Sequence, residues 1–286
     1  MPTTRRTALL LLPGFALLLA FLALPLLNVV DESFRLFEPG RIGSAKGARY
    51  TLLNYTEILE PAYLRYFAET FRFGIISSLI AVFTAFPIAY SVARQRSPLL
   101  RKLAVGFFIG MMFLSTLVRV YALQLTFGPT GYAQSIARLL NISPNGRFYT
   151  ELIVVLGLLH YLIPISVITL LGTIQNVNPR LIEASQVLGA SRLRSHLSIT
   201  LPLCVPGLLS AFLICFTLCL SAFVIPMILG KGKVLFVSNL IYARFSEIAN
   251  YPSGSAVAIT MLIIALVAIY GITWVVSRRF GNPERG

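Results

Sequence analysis

Gly230, Lys231, Gly232 and Lys233 bring glycine and lysine together, so nucleotide chemistry is the first possibility to test. A phosphate-cradling loop needs G-x-x-x-x-G-K-[ST], in which backbone N–H groups wrap the phosphates and a hydroxyl reaches magnesium. The tetrapeptide has neither the spacing nor the hydroxyl. Neither H-E-x-x-H for zinc hydrolysis nor G-x-S-x-G for serine hydrolysis occurs. Cys215 and Cys219 stand at i, i+4, with Cys204 nearby, but no histidine or acid joins them at ligand spacing. They read as small apolar residues packed in a helix, and no metal is expected. His160 also lacks a ligand-spaced partner and reads as a packed, hydrogen-bonded histidine, with the lining of a cavity as the alternative. Arg119 lies in an apolar run, where a charge is expensive; it is either functional or a snorkelling interfacial cation. No nucleophile–base pair can be assembled, so catalysis by this chain is not expected.

The elements that must carry these residues are membrane spans. Of 286 residues, 57% are hydrophobic and only 12% charged, and the mean hydropathy is +0.81. A soluble domain carries about twice that charged fraction. The formal charge of +14 comes in short basic clusters between apolar runs and not in one stripe, which argues against nucleic acid and for topology determinants. Apolar runs predict an all-α membrane protein with six transmembrane helices at approximately 8–30, 71–93, 103–127, 152–171, 203–229 and 256–276. The first is long enough to span and is read as uncleaved, despite Arg5 and Arg6 before it. Tyr50 to Phe67 predicts an interfacial helix with aromatic anchors. A short helix is expected near Tyr132 to Leu140 in an outer loop, and 230–253 reads as another outer loop. Gly106 and Gly110 have the spacing of a close helix contact.

Arg94, Arg96, Arg101 and Lys102 crowd one short loop without an acid. That loop therefore faces the cytoplasm, and six spans put both termini on the same side. The 178–200 segment then also faces inward. No acid sits mid-span, as a proton-driven carrier would require. A chain with neither nucleotide site nor proton relay must take its energy from a partner.

The 178–200 segment has strong helix punctuation. Asn178 can cap a helix and Pro179 suits its first position. Leu181, Ala184, Ser185 and Leu188 recur at i, i+3, i+4, i+7 as one narrow face. Gly189 predicts a left-handed helix end, and Ser191 caps a second helix bearing Arg192, Arg194 and His196. Two short amphipathic helices at an elbow form a docking element.

Glu183, Ala184, Gly189, Ile199, Leu201 and Pro202 follow the pattern Glu-Ala-Ala, three residues, Gly, nine residues, an apolar residue, one more, Leu-Pro. This resembles the signature loop of permease subunits of type I ATP-binding-cassette importers. Ser185 departs from it by replacing the second alanine. Thr51, Asn54 and Tyr55, the run Phe86 to Tyr90 with Ala93 and Arg94, and Leu117 to Ala122 resemble segments of the spermidine/putrescine group of these binding-protein-dependent permeases. The resemblance implies one transmembrane permease domain over 1–286 in a bacterial inner membrane, with cytoplasmic termini and a coupling loop at 178–200.

It further implies that Leu181, Glu183, Ala184, Ser185, Leu188 and Gly189 meet a cytoplasmic ATPase dimer. ATP and Mg would bind that partner and no cofactor this chain. The other implied partners are a homologous second permease, membrane lipid and a periplasmic or lipid-anchored solute-binding protein. Arg119, Tyr121, Gln124, His160 and Tyr161 are candidates to line the pathway. The implied solute is a polyamine or another small organic molecule. A stand-alone secondary carrier and a non-transporting membrane scaffold are the competing readings.

Overall fold

A computed structural model describes residues 3–41, 43, 44, 47–128, 131–139 and 142–280. Among these the only β-pairing is one antiparallel bridge between Arg35 and Tyr50. The helices are α1 (Thr3–Ser33), α2 (Leu53–Ile58), α3 (Pro61–Ala93), α4 (Pro98–Phe113), α5 (Thr116–Phe127), α6 (Ala133–Leu139) and α7 (Arg147–Asn176). There follow α8 (Arg180–Val187), α9 (Arg192–Ser195), α10 (Leu201–Leu220), α11 (Val224–Leu229), α12 (Val237–Tyr242) and α13 (Tyr251–Phe280), with π turns at His196–Thr200 and Ala243–Glu247. Local signals explain several starts. Pro61 opens α3, and Ser97 caps α4 by accepting from the Leu100 N–H at 3.5 Å, with Pro98 in the first turn.

Among the described residues, five helical runs are long and apolar enough to cross a membrane: Leu12–Ser33, Pro61–Ala93, Arg147–Asn176, Arg192–Leu220 and Tyr251–Arg279. A sixth is reached if α4 and α5 count as one broken span, bent by 90°. The expected single helix over 103–127 is therefore corrected. Leu114 and Ser115 leave the helical region at ψ 129° and 132°, although neither is a helix breaker. The fifth span differs as well. It ends at Leu220, short of the expected 229, and α11 is a separate short helix. At its start α9, the π turn and α10 run on as one helical stretch from Arg192. Pro202 does not stop it. The widened turn just before it leaves room for a ring that would clash with the carbonyl four residues back.

The described residues form two compact units, within Met1–Leu64 plus Leu240–Ile264 and within Arg65–Asn239 plus Ala265–Gly286. In the first, Asn54 is buried and its Nδ2 donates to the carbonyls of Ser33 and Arg35, both at 2.9 Å. Tyr55 OH lies 2.7 Å from Ser33 Oγ, and the Arg244 guanidinium stands 5.2 Å from the centre of the Tyr63 ring. The 50–67 segment thus contains α2, tied to the end of α1, and the start of α3.

In the second unit α7 is the central rod. Phe73, Val120, Val154, Leu158, Leu162 and Phe236 pack around its first half, and Val167, Leu170, Ile174, Cys204 and Ala211 around the half that leads to α8. A Cβ on Gly207 would fall 2.2 Å from Thr173 Oγ1, so α10 can approach α7 this closely only with glycine there. The segment expected as an outer loop folds back in, with Val234, Phe236 and Val237 buried. Gly106 and Gly110 of α4 are not packed closely among the described residues: a Cβ at either would meet nothing within 4 Å. Expectations for the termini beyond residues 3 and 280, and for Leu140, lie outside the described residues.

Candidate functional site

The 178–200 elbow is built by its own sequence. Asn178 Oδ1 accepts from the Arg180 N–H at 3.0 Å, which starts α8 after Pro179. Glu183 stands in the first turn, where a negative charge complements the helix dipole. The helix ends in a Schellman motif. Gly189 N–H bonds to Gln186 O and Ala190 N–H to Ser185 O, both at 3.0 Å, and Gly189 adopts φ +89°. Ser191 then caps α9 by accepting from the Arg194 N–H at 3.4 Å. Each of these punctuation marks was legible in the chain.

The face that α8 presents differs from the predicted one. Ile182 is its buried residue, and Ser185 turns inward beside it. Ser185 Oγ lies 2.7 Å from Ser195 Oγ, which in turn donates to Ser191 O at 3.0 Å. Ser185 therefore joins α8 to α9 and does not point outward with its expected neighbours. A hydroxyl can make this bond where an alanine methyl could not. Leu181, Glu183, Ala184, Leu188 and Gly189 are exposed, and Val187 joins them; Val187 and Leu188 are each 88% exposed. The surface on offer is thus Leu181, Ala184, Val187 and Leu188. Val187 was missed because an i, i+3, i+4 face drawn through Ser185 leaves it out.

The second predicted group gathers around the broken span. Arg119 is buried. Its Nε and Nη2 donate to Leu114 O at 3.1 and 2.5 Å, and Nη2 also to Met112 O at 3.5 Å. The guanidinium therefore folds back from α5 onto the unpaired carbonyls at the end of α4, which is the physical reason the chain can break there. It also stands 5.6 Å from the Tyr161 ring centre on α7. Nη1, and the Nδ1 of half-buried His160, have no partner among the described residues. Tyr121 points away on an exposed face, and Gln124 is half-buried. Among the described residues, no group of three or more His, Cys, Asp or Glu could hold a metal ion.

A third group, not anticipated from the sequence, joins α3, α7 and the segment before α12. Glu69 is buried and pairs with Arg147 at 2.5 Å and Arg65 at 3.1 Å. Glu151 pairs with Arg72 at 2.6 Å and Arg147 at 2.9 Å. Glu69 Oε2 also accepts from the Leu235 N–H at 2.7 Å, and Thr70 Oγ1 from the Val237 N–H at 2.9 Å. Lys233 Nζ reaches Asn145 O. The i, i+4 spacings of Arg65 with Glu69 and Arg147 with Glu151 were the visible signal.

Residues 85–281 match the family described as "Binding-protein-dependent transport system inner membrane component". The spermidine/putrescine transport system permease protein PotB of Escherichia coli (strain K12) is 27% identical over 263 residues, 91% of this chain and 94% of that protein. Its Haemophilus influenzae namesake is 29% identical over 261 residues, 90% of each chain. Among solved structures, a chain of a bacterial ABC transporter involved in import of the acidic polysaccharide alginate superposes with a TM-score of 0.78 at 19% identity. That superposition covers 98% of both chains and shows a shared fold.

Proposed function

The chain belongs to the family of binding-protein-dependent transport system inner membrane components and is a permease subunit of a type I ATP-binding-cassette importer, and from that premise we propose that it receives its energy through α8. The observation that carries this reading is the apolar surface of α8, with Val187 and Leu188 each 88% exposed. They stand on a short helix outside the apolar spans, held rigid by a Schellman end. An exposed apolar cluster on an ordered element suits a cleft on a protein partner. The partner is a cytoplasmic ATPase dimer that binds ATP and Mg, while this chain catalyses nothing and carries no cofactor. It acts as one permease domain beside a homologous second permease, in contact with membrane lipid. Its termini are cytoplasmic, consistent with the basic, acid-free residues at 94–102.

A solute-binding protein, periplasmic or lipid-anchored, delivers the cargo on the far side. The cargo is a small organic solute of the polyamine class. The similarity to spermidine/putrescine permeases over nine-tenths of the chain supports this reading. Glu69 and Glu151 are already engaged by arginines, so carboxylates for a polycation come from the second permease. Arg119, Tyr121, Gln124, His160 and Tyr161 are the proposed contribution of this chain to the pathway.

Leu188→Asp, compared with the native chain, tests the docking assignment. Membranes should retain the variant while the ATPase no longer co-purifies. Full ATPase recovery with Leu188→Asp would remove α8 as the docking helix. Uptake of radiolabelled putrescine and spermidine by the assembled importer tests the cargo, and no uptake of either would exclude it.

A further inference from the structure

Two side chains at the end of α3 meet the two ends of the elbow, Arg94 at its start and Tyr90 at its end. Arg94 follows directly on α3, and its Nη2 donates to Ile174 O at 3.2 Å and Val177 O at 2.5 Å. These are the carbonyls at the end of α7, where the elbow begins. The same guanidinium stands 5.8 Å from the centre of the Tyr90 ring. Tyr90 meets the His196 ring edge-on at 4.9 Å. His196 is the first residue of the π turn through which the elbow rejoins the helix to α10, and its Nδ1 lies 3.2 Å from Thr200 Oγ1. Ile174, Val177 and Thr200 are all buried.

A cation that served only to orient the chain in the membrane would need to do no more than reach water. Arg94 instead spends its hydrogen bonds on backbone carbonyls, and its Nε is buried without a partner among the described residues. The negative end of α7 compensates its charge. The π turn adds to the case, since such a turn inside a long helix marks a place where geometry is held by its surroundings.

We propose that Arg94 is a positioning residue for energy coupling: with Tyr90 it ties the start and the end of the docking elbow to the inner end of α3. Displacement of α8 is then delivered to α3 as a rigid-body motion and is not lost in bending of residues 174–200. The energy-coupling role rests on the reading of α8 as the ATPase-docking helix, whereas the tie to α3 does not. Lysine replaces Arg94 only in part, because its ammonium can meet the two carbonyls that Nη2 meets but has no planar guanidinium to set against the Tyr90 ring.

The test uses spin labels at Gln186→Cys and Phe83→Cys, exposed native positions on α8 and α3, with Gln186 outside the surface formed by Leu181, Ala184, Val187 and Leu188. The native cysteines are buried. In the permease alone, in lipid nanodiscs, the pair should give one narrow distance, broadened by Arg94→Ala and broadened less by Arg94→Lys. With the ATPase added, trapping by ATP and vanadate should leave the distance unchanged in the parent and shift it in Arg94→Ala. A second labelled pair, Leu125→Cys with Phe148→Cys, reports on folding away from the clamp. If Arg94→Ala disturbs that pair, the Arg94→Lys comparison decides. An unbroadened distribution in the folded variant overturns the proposal. Failure of the docking reading shows itself differently: no ATPase binds to any variant, while the width measured in the permease alone still decides whether α8 is tied to α3.

Discussion

Replacing Gly189 by alanine, asparagine and valine isolates what its backbone contributes to docking. The residue holds φ +89°, and a Cβ built there meets no atom within 4 Å. A β-carbon therefore causes no clash, and for alanine the whole penalty comes from forcing an L-residue into the left-handed region, roughly 1–2 kcal/mol. The two bonds of the Schellman end, to Gln186 O and Ser185 O, are what this conformation protects. Helix α8 has 8 residues, and the Ser185–Ser195 bond secures the side that faces α9, so the variants would fray on the opposite side where Val187 and Leu188 are displayed. If binding must restore that turn, the dissociation constant for the ATPase should rise about five- to thirtyfold for Gly189→Ala, at about 1.4 kcal/mol per decade. Asparagine tolerates the left-handed region and should lose less, while β-branched valine should lose most. Titrating purified ATPase onto the permease in nanodiscs measures the series. Alanine binding as tightly as glycine, or asparagine faring as badly as valine, would refute the argument.

The other sites give independent expectations. Glu69→Ala leaves the Leu235 N–H without its acceptor, takes the carboxylate from Arg65 and leaves Arg147 with Glu151 alone, and should lower stability by about 1–3 kcal/mol, read as a lower melting temperature in detergent. Arg119→Met should destabilise the α4–α5 break by a similar amount, about 1–3 kcal/mol, with Arg119→Lys failing to restore it because Leu114 O and Met112 O are met by one fork. Gly207→Ala puts a methyl against Thr173 and should cost about 1–3 kcal/mol through overpacking, visible in the same melting assay. Cys204, Cys215 and Cys219, all buried, should resist a maleimide until the protein is denatured; rapid labelling in the native state would contradict the described packing.

Much of the 178–200 elbow could be read from the chain because its determinants are local. Asn178, Pro179, Gly189 and Ser191 act on backbone groups within about four residues of themselves, which is the reach of helix capping. The direction of its face was harder. Ser185 and Leu181 are both compatible with a helical stripe, and it is the partner hydroxyl on Ser195, ten residues away, that turns Ser185 inward and leaves Val187 outside. The third span defeated a local reading for a similar reason. Leu114 and Ser115 carry no breaker, and the carbonyls they expose are satisfied by Arg119 from the next helix.

What the sequence by itself determined is the class of the molecule: apolar runs long enough to span, basic clusters between them and a punctuated elbow at 178–200. Apolar length and helix punctuation are summed over neighbouring residues, so they survive without knowledge of the fold. Tertiary structure alone decided where the third span breaks, which way Ser185 faces, and that Glu69 and Arg94 are structural hubs and not surface charges. Glu69 binds a backbone N–H 166 residues further along the chain, and Arg94 a carbonyl 83 residues away. Pairings at that separation depend on how α3, α7 and α10 pack, because a charge inside a bundle is stable only where packing has brought its counterpart to it.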